Sequence, residues 1–159
     1  MDETSPLPNP PDVRWGIRPA VAGDAAELLR MRQALWPDSG ADEVGPLIAG
    51  ELPRSCTVHV AERRGGGLAG FVEMAVREYA DGCEPGPVAY LEGIWVDPDR
   101  RRTGLGAALV ASVLTWAAGM GLRELASDTS AENTASQGFH RRTGFTEVAR
   151  AVLYRRPLP

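Results

Sequence analysis

A stretch rich in arginine and glycine, DPDRRRTGLGAAL at residues 97–109, is the first pattern that could do chemistry. It leads into an apolar run, which predicts a helix that begins near Gly104. A helix N-terminus presents unpaired backbone N–H groups and a partial positive charge, and both favour phosphate. Glycines at 104 and 106 remove side chains that would keep an anion away. The stretch predicts a diphosphate cradle, although a solvated basic loop before a glycine-tolerant helix start also fits the spacing.

Two other phosphate-binding motifs fit this stretch less well. A dinucleotide-binding fingerprint needs a third glycine where Leu109 stands, and it follows its strand directly. A P-loop needs G-x-x-x-x-G-K-S/T, which the chain lacks. The cradle is therefore expected to serve a different phosphate ligand.

Two carboxylates flank the cradle in sequence. Glu92 interrupts the apolar stretch AYLEGIWV, where a charge is costly unless it is paired or hydrated. We expect Glu92 to bind a substrate ammonium or to relay its proton through water; a solvent-facing strand position is the alternative. Asp128 ends the next predicted strand, where ligands often bind in open sheets. Its alternative is a turn-capping role in DTSAEN.

Composition limits the class of protein. The chain has 159 residues, 43 % of them apolar, and a net charge of −4. The length suits one domain, and the charge argues against nucleic-acid binding and fits a small cationic ligand. Cys56, Cys83, His59 and His140 lack metal-site spacing, so we expect no metal. Isolated thiols fit a cytoplasmic protein, and no apolar run is long enough to span a membrane.

Hydrophobic periodicity predicts an alternation of strands and helices. The order β-α-α-β-β-β-α-β-α-β predicts an α/β fold whose mixed sheet carries helices on both faces. We expect residues 1–12 to form a flexible N-terminal tail and residues 13–159 a single domain. The predicted elements are strand GIRPAV, helix 24–36, a weaker helix 42–52, hairpin TVHVAE-RRGGG-LAGFVEMAVRE, strand AYLEGIWV, helix 104–118, strand RELASD, helix 134–143 and a last strand or two in FTEVARAVLYRR.

The R-x-x-G-x-G pattern at Arg101, Gly104 and Gly106 resembles the acetyl-CoA-binding motif of the GCN5-related N-acetyltransferase superfamily. The stretch ENTASQGFHRRTGF is similar to the second superfamily motif, and IRPAVAGDAAELLRMR to the N-terminal strand and helix. More narrowly, LRMRQALWPD, VREYADGCEPGPVAYLEGIWV, ASDTSAENTASQGFHRRTGF and ARAVLYRR resemble one branch of the aminoglycoside 6'-N-acetyltransferases. The resemblance covers roughly residues 13–156 and implies a central mixed, mostly antiparallel sheet with helices on both faces.

The resemblance implies transfer of acetyl from acetyl-CoA to the 6'-amine of an aminoglycoside, and hence antibiotic resistance. It also implies that the strand before the cradle separates from its neighbour and binds the pantetheine arm through its backbone. Asn133 would contact the same arm, with a helix N-cap as its alternative role. The implied cofactor-binding residues are Ile94, Trp95, Val96, Arg102, Thr103, Gly104, Leu105, Gly106, Ala107 and Asn133.

The branch also implies roles at the substrate. Glu92 and Asp128 are expected to bind the substrate and to act in catalysis. Trp36 and Tyr79 match aromatic residues that line the substrate site, although Trp36 fits a core position equally well. Ala149 stands where related sequences tend to have an acidic residue, which would loosen aminoglycoside binding or shift specificity.

The group that protonates the departing thiolate has more than one candidate. Many superfamily members carry a tyrosine where this chain has His140, which is our catalytic candidate and which could instead pack beside the cofactor. Tyr154 and solvent are the other candidates.

Other functions stay open at this stage. The acceptor could be a different amine, such as a polyamine or a protein, or the chain could be a CoA- or drug-binding module without turnover. The expected partners are acetyl-CoA, a cationic aminoglycoside and a second copy of the chain. We expect a homodimer because the resemblance to this branch implies one and because the predicted C-terminal strand is well placed to pair. We expect neither nucleic acid nor membrane as a partner.

Overall fold

One mixed sheet with helices on both faces organises the computed structural model, which describes residues 15–158. The elements are, in chain order, β1 (Gly16–Pro19), α1 (Ala25–Leu35), α2 (Ala41–Ala49), β2 (Thr57–Glu62), β3 (Leu68–Arg77), β4 (Val88–Val96), α3 (Leu105–Gly119), β5 (Leu125–Ser127) and α4 (Thr134–Arg142). The strands lie in the order β1-β2-β3-β4-β5. Pairs up to β4 are antiparallel, and β5 joins β4 in parallel. The predicted fold class is confirmed, whereas the predicted tail, residues 1–12, lies outside the described residues.

Helices α1 and α2 cover one face of the sheet. Leu28 and Met31 on α1 are fully buried, as their helical spacing predicts. They pack with Val58, Val60 and Phe71 from β2 and β3 in one apolar cluster. This packing fixes the C-terminal end of α1 beside the middle of the sheet.

Helix α3 covers the opposite face. Leu105, Leu109 and Val113 form its buried stripe and pack against Val72 and Met74 of β3. Helix α4 adds the partly buried Phe139 to the same cluster. The N-terminal turn of α3 is therefore held firmly against the sheet at the end of β4.

The C-terminal segment differs from its prediction. Residues 145–158 contain no strand, and Val152, Leu153 and Tyr154 are more than three-quarters exposed. The apolar pattern of FTEVARAVLYRR predicts a strand, but a strand forms only where an edge is available for pairing. Among the residues described here, no edge pairs with this segment. The expected last strand is therefore wrong for a single copy of the chain.

The helices between residues 15 and 158 are too short or too polar to cross a lipid bilayer.

Candidate active site

The cradle is a turn that delivers free backbone amides to the start of α3. Arg102 and Gly104 both have positive φ, 60° and 91°. The first helical bond runs from the N–H of Ala108 to the carbonyl of Gly104, at 3.0 Å. The amides of residues 105–107 precede that bond and have no partner within the helix. Together with the positive end of the helix dipole, they form the donor set that a diphosphate requires.

The two glycines of the motif are needed for different reasons. Gly104 is left-handed, a conformation that glycine adopts without strain, and a Cβ there would meet no atom within 4 Å. A Cβ on Gly106 would lie 2.8 Å from Cε2 of Phe139 on α4. Gly104 therefore shapes the cradle, while Gly106 lets α3 and α4 pack closely.

Arg101, the arginine of the motif, folds back onto β4. Its Nε donates to the carbonyl of Val96 at 3.0 Å, and its guanidinium lies 4.9 Å from the ring centre of Trp95. The Trp95 indole in turn donates to Asp97 at 2.9 Å. These contacts stiffen the junction between strand and cradle, so Arg101 supports the cradle's shape.

Asp97 anchors the same junction to the rest of the molecule. Its buried carboxylate accepts two hydrogen bonds from Arg30 on α1 and one from Arg63 in the β2–β3 turn. Burial alone would raise its pKa, but the bonds from Arg30, Trp95 and Arg63 outweigh it and hold the pKa of Asp97 at about 2. One carboxylate thus ties β4, α1 and the hairpin together just before the cradle.

The edge of β4 opens beyond its midpoint. Strand β5 pairs with β4 only from Ala89 to Leu91, opposite Leu125 to Ser127. Ile94, Trp95 and Val96 lie beyond that pairing, on the part of β4 that runs to the cradle. A pantetheine arm could pair with this open edge through backbone hydrogen bonds alone.

A β-bulge at Glu92 sets the direction of the catalytic candidates. Glu73 of β3 is opposite Gly93, whereas the next residue, Met74, is opposite Leu91, so Glu92 is the extra residue. As a result, Leu91 and Ile94 both face α3, and Glu92 and Gly93 both face α1. The bulge directs the Glu92 carboxylate out of the sheet.

Glu92 faces a cleft of about 780 Å³ between α1, α2 and the sheet. Trp36 forms one wall and packs against Gly93, where any side chain would overlap the indole ring. Trp36 therefore lines the cleft and also packs against Phe71 in the core. Four carboxylates line the cleft, those of Asp38, Glu43, Glu73 and Glu92.

A buried ion pair forms the floor of this cleft. Arg32 of α1 bonds Glu73 and also donates to Glu43 at 2.8 Å. Burial raises the pKa of Glu73, and Arg32 acts against that rise. Burial, together with the charge of Glu73, also raises the pKa of the Cys56 thiol to about 12, so this cysteine stays protonated.

Glu92 and Asp128 are linked through other side chains. Glu92 accepts two hydrogen bonds from Arg77, and Arg77 lies over the ring of Tyr90. The Tyr90 hydroxyl donates to Asp128 at 2.6 Å. Both predicted carboxylates therefore belong to one network, and Asp128 is held by a tyrosine rather than only by its own turn.

His140 and Asn133 lie on α4. The Nδ1 of His140 bonds the carbonyl of Ser136 at 2.8 Å, and its Nε2 lies 2.9 Å from Oγ of Ser127, the last residue of β5. A carbonyl only accepts, so Nδ1 carries a proton. Asn133 caps α4 by accepting from the N–H of Ser136 at 3.0 Å. That cap uses only its oxygen and leaves its amide nitrogen for a ligand.

Tyr79, Tyr154 and Ala149 are not gathered around the cleft. Tyr79 is 72 % exposed and Tyr154 is 92 % exposed, and neither lines the cleft. Ala149 lies in the exposed C-terminal segment. Their predicted roles require a surface that the structure of one chain does not assemble.

Sequence reasoning missed Arg32, Glu73, Arg77 and Tyr90. Glu73 carried the same signal as Glu92, a carboxylate inside an apolar strand, FVEMAV. The glycine after Glu92 was a signal for the bulge, because an isolated glycine within a strand often marks one. Arg77 had no comparable signal, since an arginine at a strand end is common. Within residues 15–158 no three histidine, cysteine, aspartate or glutamate side chains group to hold a metal ion.

Known proteins match this chain over nearly its whole length. The sequence profile described as "Acetyltransferase (GNAT) family" matches residues 25–145. The chain belongs to this family. It is 42 % identical to an aminoglycoside N(6')-acetyltransferase type 1 of Klebsiella aerogenes over 146 residues, 89 % of this chain and 96 % of that protein. The corresponding enzyme of Stenotrophomonas maltophilia is 38 % identical, over 89 % of this chain and 93 % of that protein.

Solved structures agree in fold. The aminoglycoside 6'-N-acetyltransferase AAC(6')-Ih of Acinetobacter baumannii superimposes with a TM-score of 0.83 at 30 % identity, over 91 % of this chain and 99 % of that chain. AAC(6')-Iy, in complex with the bisubstrate analogue CoA-S-monomethyl-acetylneamine, gives a TM-score of 0.81 at 33 % identity, with the same coverage. The resemblance stated from the motifs is confirmed, and the protein is an acyltransferase.

Proposed function

We propose that this protein is an aminoglycoside 6'-N-acetyltransferase that confers resistance to its substrates. The observation that carries the proposal is its similarity, over almost the full length of both chains, to enzymes of that activity. The motifs alone left a polyamine or protein acceptor and a non-catalytic module open. The relatives favour the aminoglycoside over each of these.

The cleft supports a polycationic acceptor. Its four carboxylates exceed its two arginines, Arg32 and Arg54, and Arg32 is already paired with Glu73. Each ammonium placed near one carboxylate gains about 1–4 kcal/mol near a protein surface. A ligand with several ammonium groups would gain from several of these carboxylates at once.

Acetyl-CoA is the acetyl donor, and the cradle fits its diphosphate. When bound, it supplies the activated acetyl group as a thioester. The backbone amides of residues 102–107 would hold the diphosphate, and the open edge of β4 at Ile94, Trp95 and Val96 would hold the pantetheine arm. Asn133 would contact the same arm through its amide nitrogen. No side chain blocks the cradle at Gly104, since even an added Cβ would meet nothing within 4 Å.

The reacting amine has to lose a proton before it can attack. Glu92 would bind the ammonium and accept its proton through water, and the bulge that directs its carboxylate into the cleft supports this role. Asp128 would hold a second amine of the substrate. His140 contacts the Ser127 hydroxyl through Nε2, so we propose that its doubly protonated form would pass the Nε2 proton to the thiolate sulfur through that hydroxyl.

The homodimer and the cytoplasmic location are proposals of the same kind. Val152, Leu153 and Tyr154 expose apolar surface in a segment whose sequence predicts a strand, and pairing with a second copy would cover it. Sedimentation at micromolar concentration tests this, and a monomer at all concentrations would refute it. The free thiols of Cys56 and Cys83 fit a reducing compartment.

The activity is tested by the release of CoA thiol from acetyl-CoA with kanamycin, tobramycin, spermidine and a peptide in parallel. We expect release with the aminoglycosides, and NMR of the product should place the new acetyl group on the 6' nitrogen. Release with spermidine or peptide alone would refute the aminoglycoside proposal. CoA binding without release of CoA thiol for any amine would indicate a CoA-binding module without turnover.

A further inference from the structure

Glu92, the carboxylate expected to bind the substrate amine, is already paired with a cation, the guanidinium of Arg77. Arg77 Nε lies 2.9 Å from one oxygen of Glu92, and its terminal nitrogen lies 2.6 Å from the other. This two-point contact fixes the plane of the carboxylate. Both side chains keep some solvent access, with exposed fractions of 34 % and 24 %.

Arg77 also connects Glu92 with Asp128. Its guanidinium carbon lies 3.4 Å from the centre of the Tyr90 ring, a close cation–π contact. The hydroxyl of that ring donates to Asp128. One arginine thus orders both carboxylates predicted to bind the substrate, one directly and one through a tyrosine.

The contact leaves Glu92 able to accept another donor. An ionised carboxylate has about four lone-pair sites, and Arg77 uses one on each oxygen. A substrate amine can therefore join Glu92 without displacing Arg77. The permanent positive charge of Arg77 then offsets part of the stabilisation that Glu92 gives to the protonated amine, so the neutral form that attacks is easier to reach.

The other cations of the cleft, Arg32 and Arg54, form no ion pair with Glu92 in the part of the chain that the structure describes. Asp128 lies after β5, and Glu73 and the protonated Cys56 lie across the cleft floor. Arg32 is bound to Glu73 and Glu43. Arg77 is the arginine in direct contact with Glu92 among the described residues.

We propose that Arg77 is a positioning residue for acetyl transfer, which fixes Glu92 and Asp128 and weakens the preference of the amine held by Glu92 for its protonated, unreactive form. The inference rests on the proposed function. The proposal also assigns a role to Tyr90, because the Tyr90 ring packs against the Arg77 guanidinium and the Tyr90 hydroxyl donates to Asp128.

Steady-state kinetics of Arg77→Met with kanamycin and acetyl-CoA from pH 6 to pH 9 test the proposal. We expect kcat at pH 7 to fall about tenfold, with the KM for kanamycin unchanged or lower and the KM for acetyl-CoA unchanged. The deficit should shrink toward pH 9, where solvent deprotonates the amine without help. Arg77→Lys, which keeps the charge and loses the two-point contact, should recover part of kcat.

Arg64→Met is the matched control, because Arg64 is exposed in the β2–β3 turn and should leave all parameters unchanged. An unchanged kcat in Arg77→Met, or an equal loss at every pH, would overturn the proposal. If Arg77→Met fails to bind acetyl-CoA and is therefore misfolded, the Tyr90→Phe variant tests the proposal in its place. That variant keeps the ring and should raise the KM for kanamycin about threefold, and wild-type kinetics in it would overturn the Asp128 link. Lack of turnover by the wild type would instead refute the proposed function.

Discussion

The cradle and the cleft differ in what they offer to a ligand. The cradle offers backbone amides whose positions follow from a turn and the start of α3. The cleft offers side chains, and in the structure these are already paired: Arg32 with Glu73, and Glu92 with Arg77, which connects it to Tyr90 and Asp128 outside the cleft lining. A ligand enters the cradle without displacing any contact, whereas a ligand in the cleft has to join an existing network. Variants that damage only one region test this difference.

The largest effect is expected from Gly104→Val. A β-branched residue at a φ of 91° is strained, and relief of that strain would turn the amides of the cradle away. We expect acetyl-CoA to bind about 100-fold more weakly, equivalent to about 2.7 kcal/mol, in a calorimetric titration. Gly119→Val, at the open C-terminal end of the same helix, is the control. Normal CoA affinity in Gly104→Val would count against the cradle.

Glu92→Gln should damage the cleft and spare the cradle. Loss of the charge removes both the partner of Arg77 and the acceptor for the amine, so we expect kcat/KM for kanamycin to fall about 30-fold, or about 2 kcal/mol. We expect Asp128→Asn to lower kcat/KM for kanamycin about tenfold. Acetyl-CoA affinity should stay at the wild-type value in both, and Glu62→Gln at the end of β2 serves as the control. Weakened CoA binding in either variant would contradict the division between the two regions.

Asp97→Asn tests the junction between the regions. Its folded pKa of about 2 lies below the unfolded value of about 3.9, so its contribution to stability is present above pH 4 and is lost as the pH falls toward 2. Urea unfolding should show a loss of about 2.5 kcal/mol at pH 7 that shrinks below pH 4. Asp99→Asn, an exposed neighbour that shares Arg63, should show a much smaller loss. A deficit that does not depend on pH would exclude the ion pairs as the cause.

The smallest effect is expected from Gly106→Ala. The added methyl group meets Phe139, and this overpacking should lower the free energy of unfolding by about 1 kcal/mol. Because the amide of residue 106 is retained, acetyl-CoA affinity should change less than about threefold. Gly119→Ala, in open space on the same helix, should be neutral or stabilising. If Gly106→Ala abolished CoA binding, this glycine would belong to the anion site after all.

The sequence predicts the cradle side well, because local rules determine it. Helical spacing and the positions of Gly104 and Pro98 place the turn and the start of α3 to within a residue. The hairpin and β4 follow from alternation and turn residues in the same way. These features depend on neighbours in the chain, which are visible in the sequence.

The cleft is predicted less well, because its chemistry arises between distant residues. Arg32 and Glu73 are 41 residues apart and Tyr90 and Asp128 are 38 apart, and no single-sequence pattern pairs them. The last strand is a different case. Its β-branched and aromatic residues are visible in FTEVARAVLYRR, but a strand forms only when it pairs with an edge, and in one chain this segment pairs with neither β1 nor β5.

The bulge in β4 has a consequence for how this strand can change. The extra residue shifts the alternation of side chains by one position. Leu91 and Ile94 are three residues apart, and they face the same core only because of this shift. Deletion of Glu92 would therefore remove the carboxylate and the bulge together. Leu91 and Gly93 would then be consecutive and would alternate as in a regular strand, so Gly93 and Trp95 would still face α1 and Ile94 and Val96 would still face α3. The residue that carries the proposed chemistry is therefore the one residue of β4 that the pairing with β3 does not require.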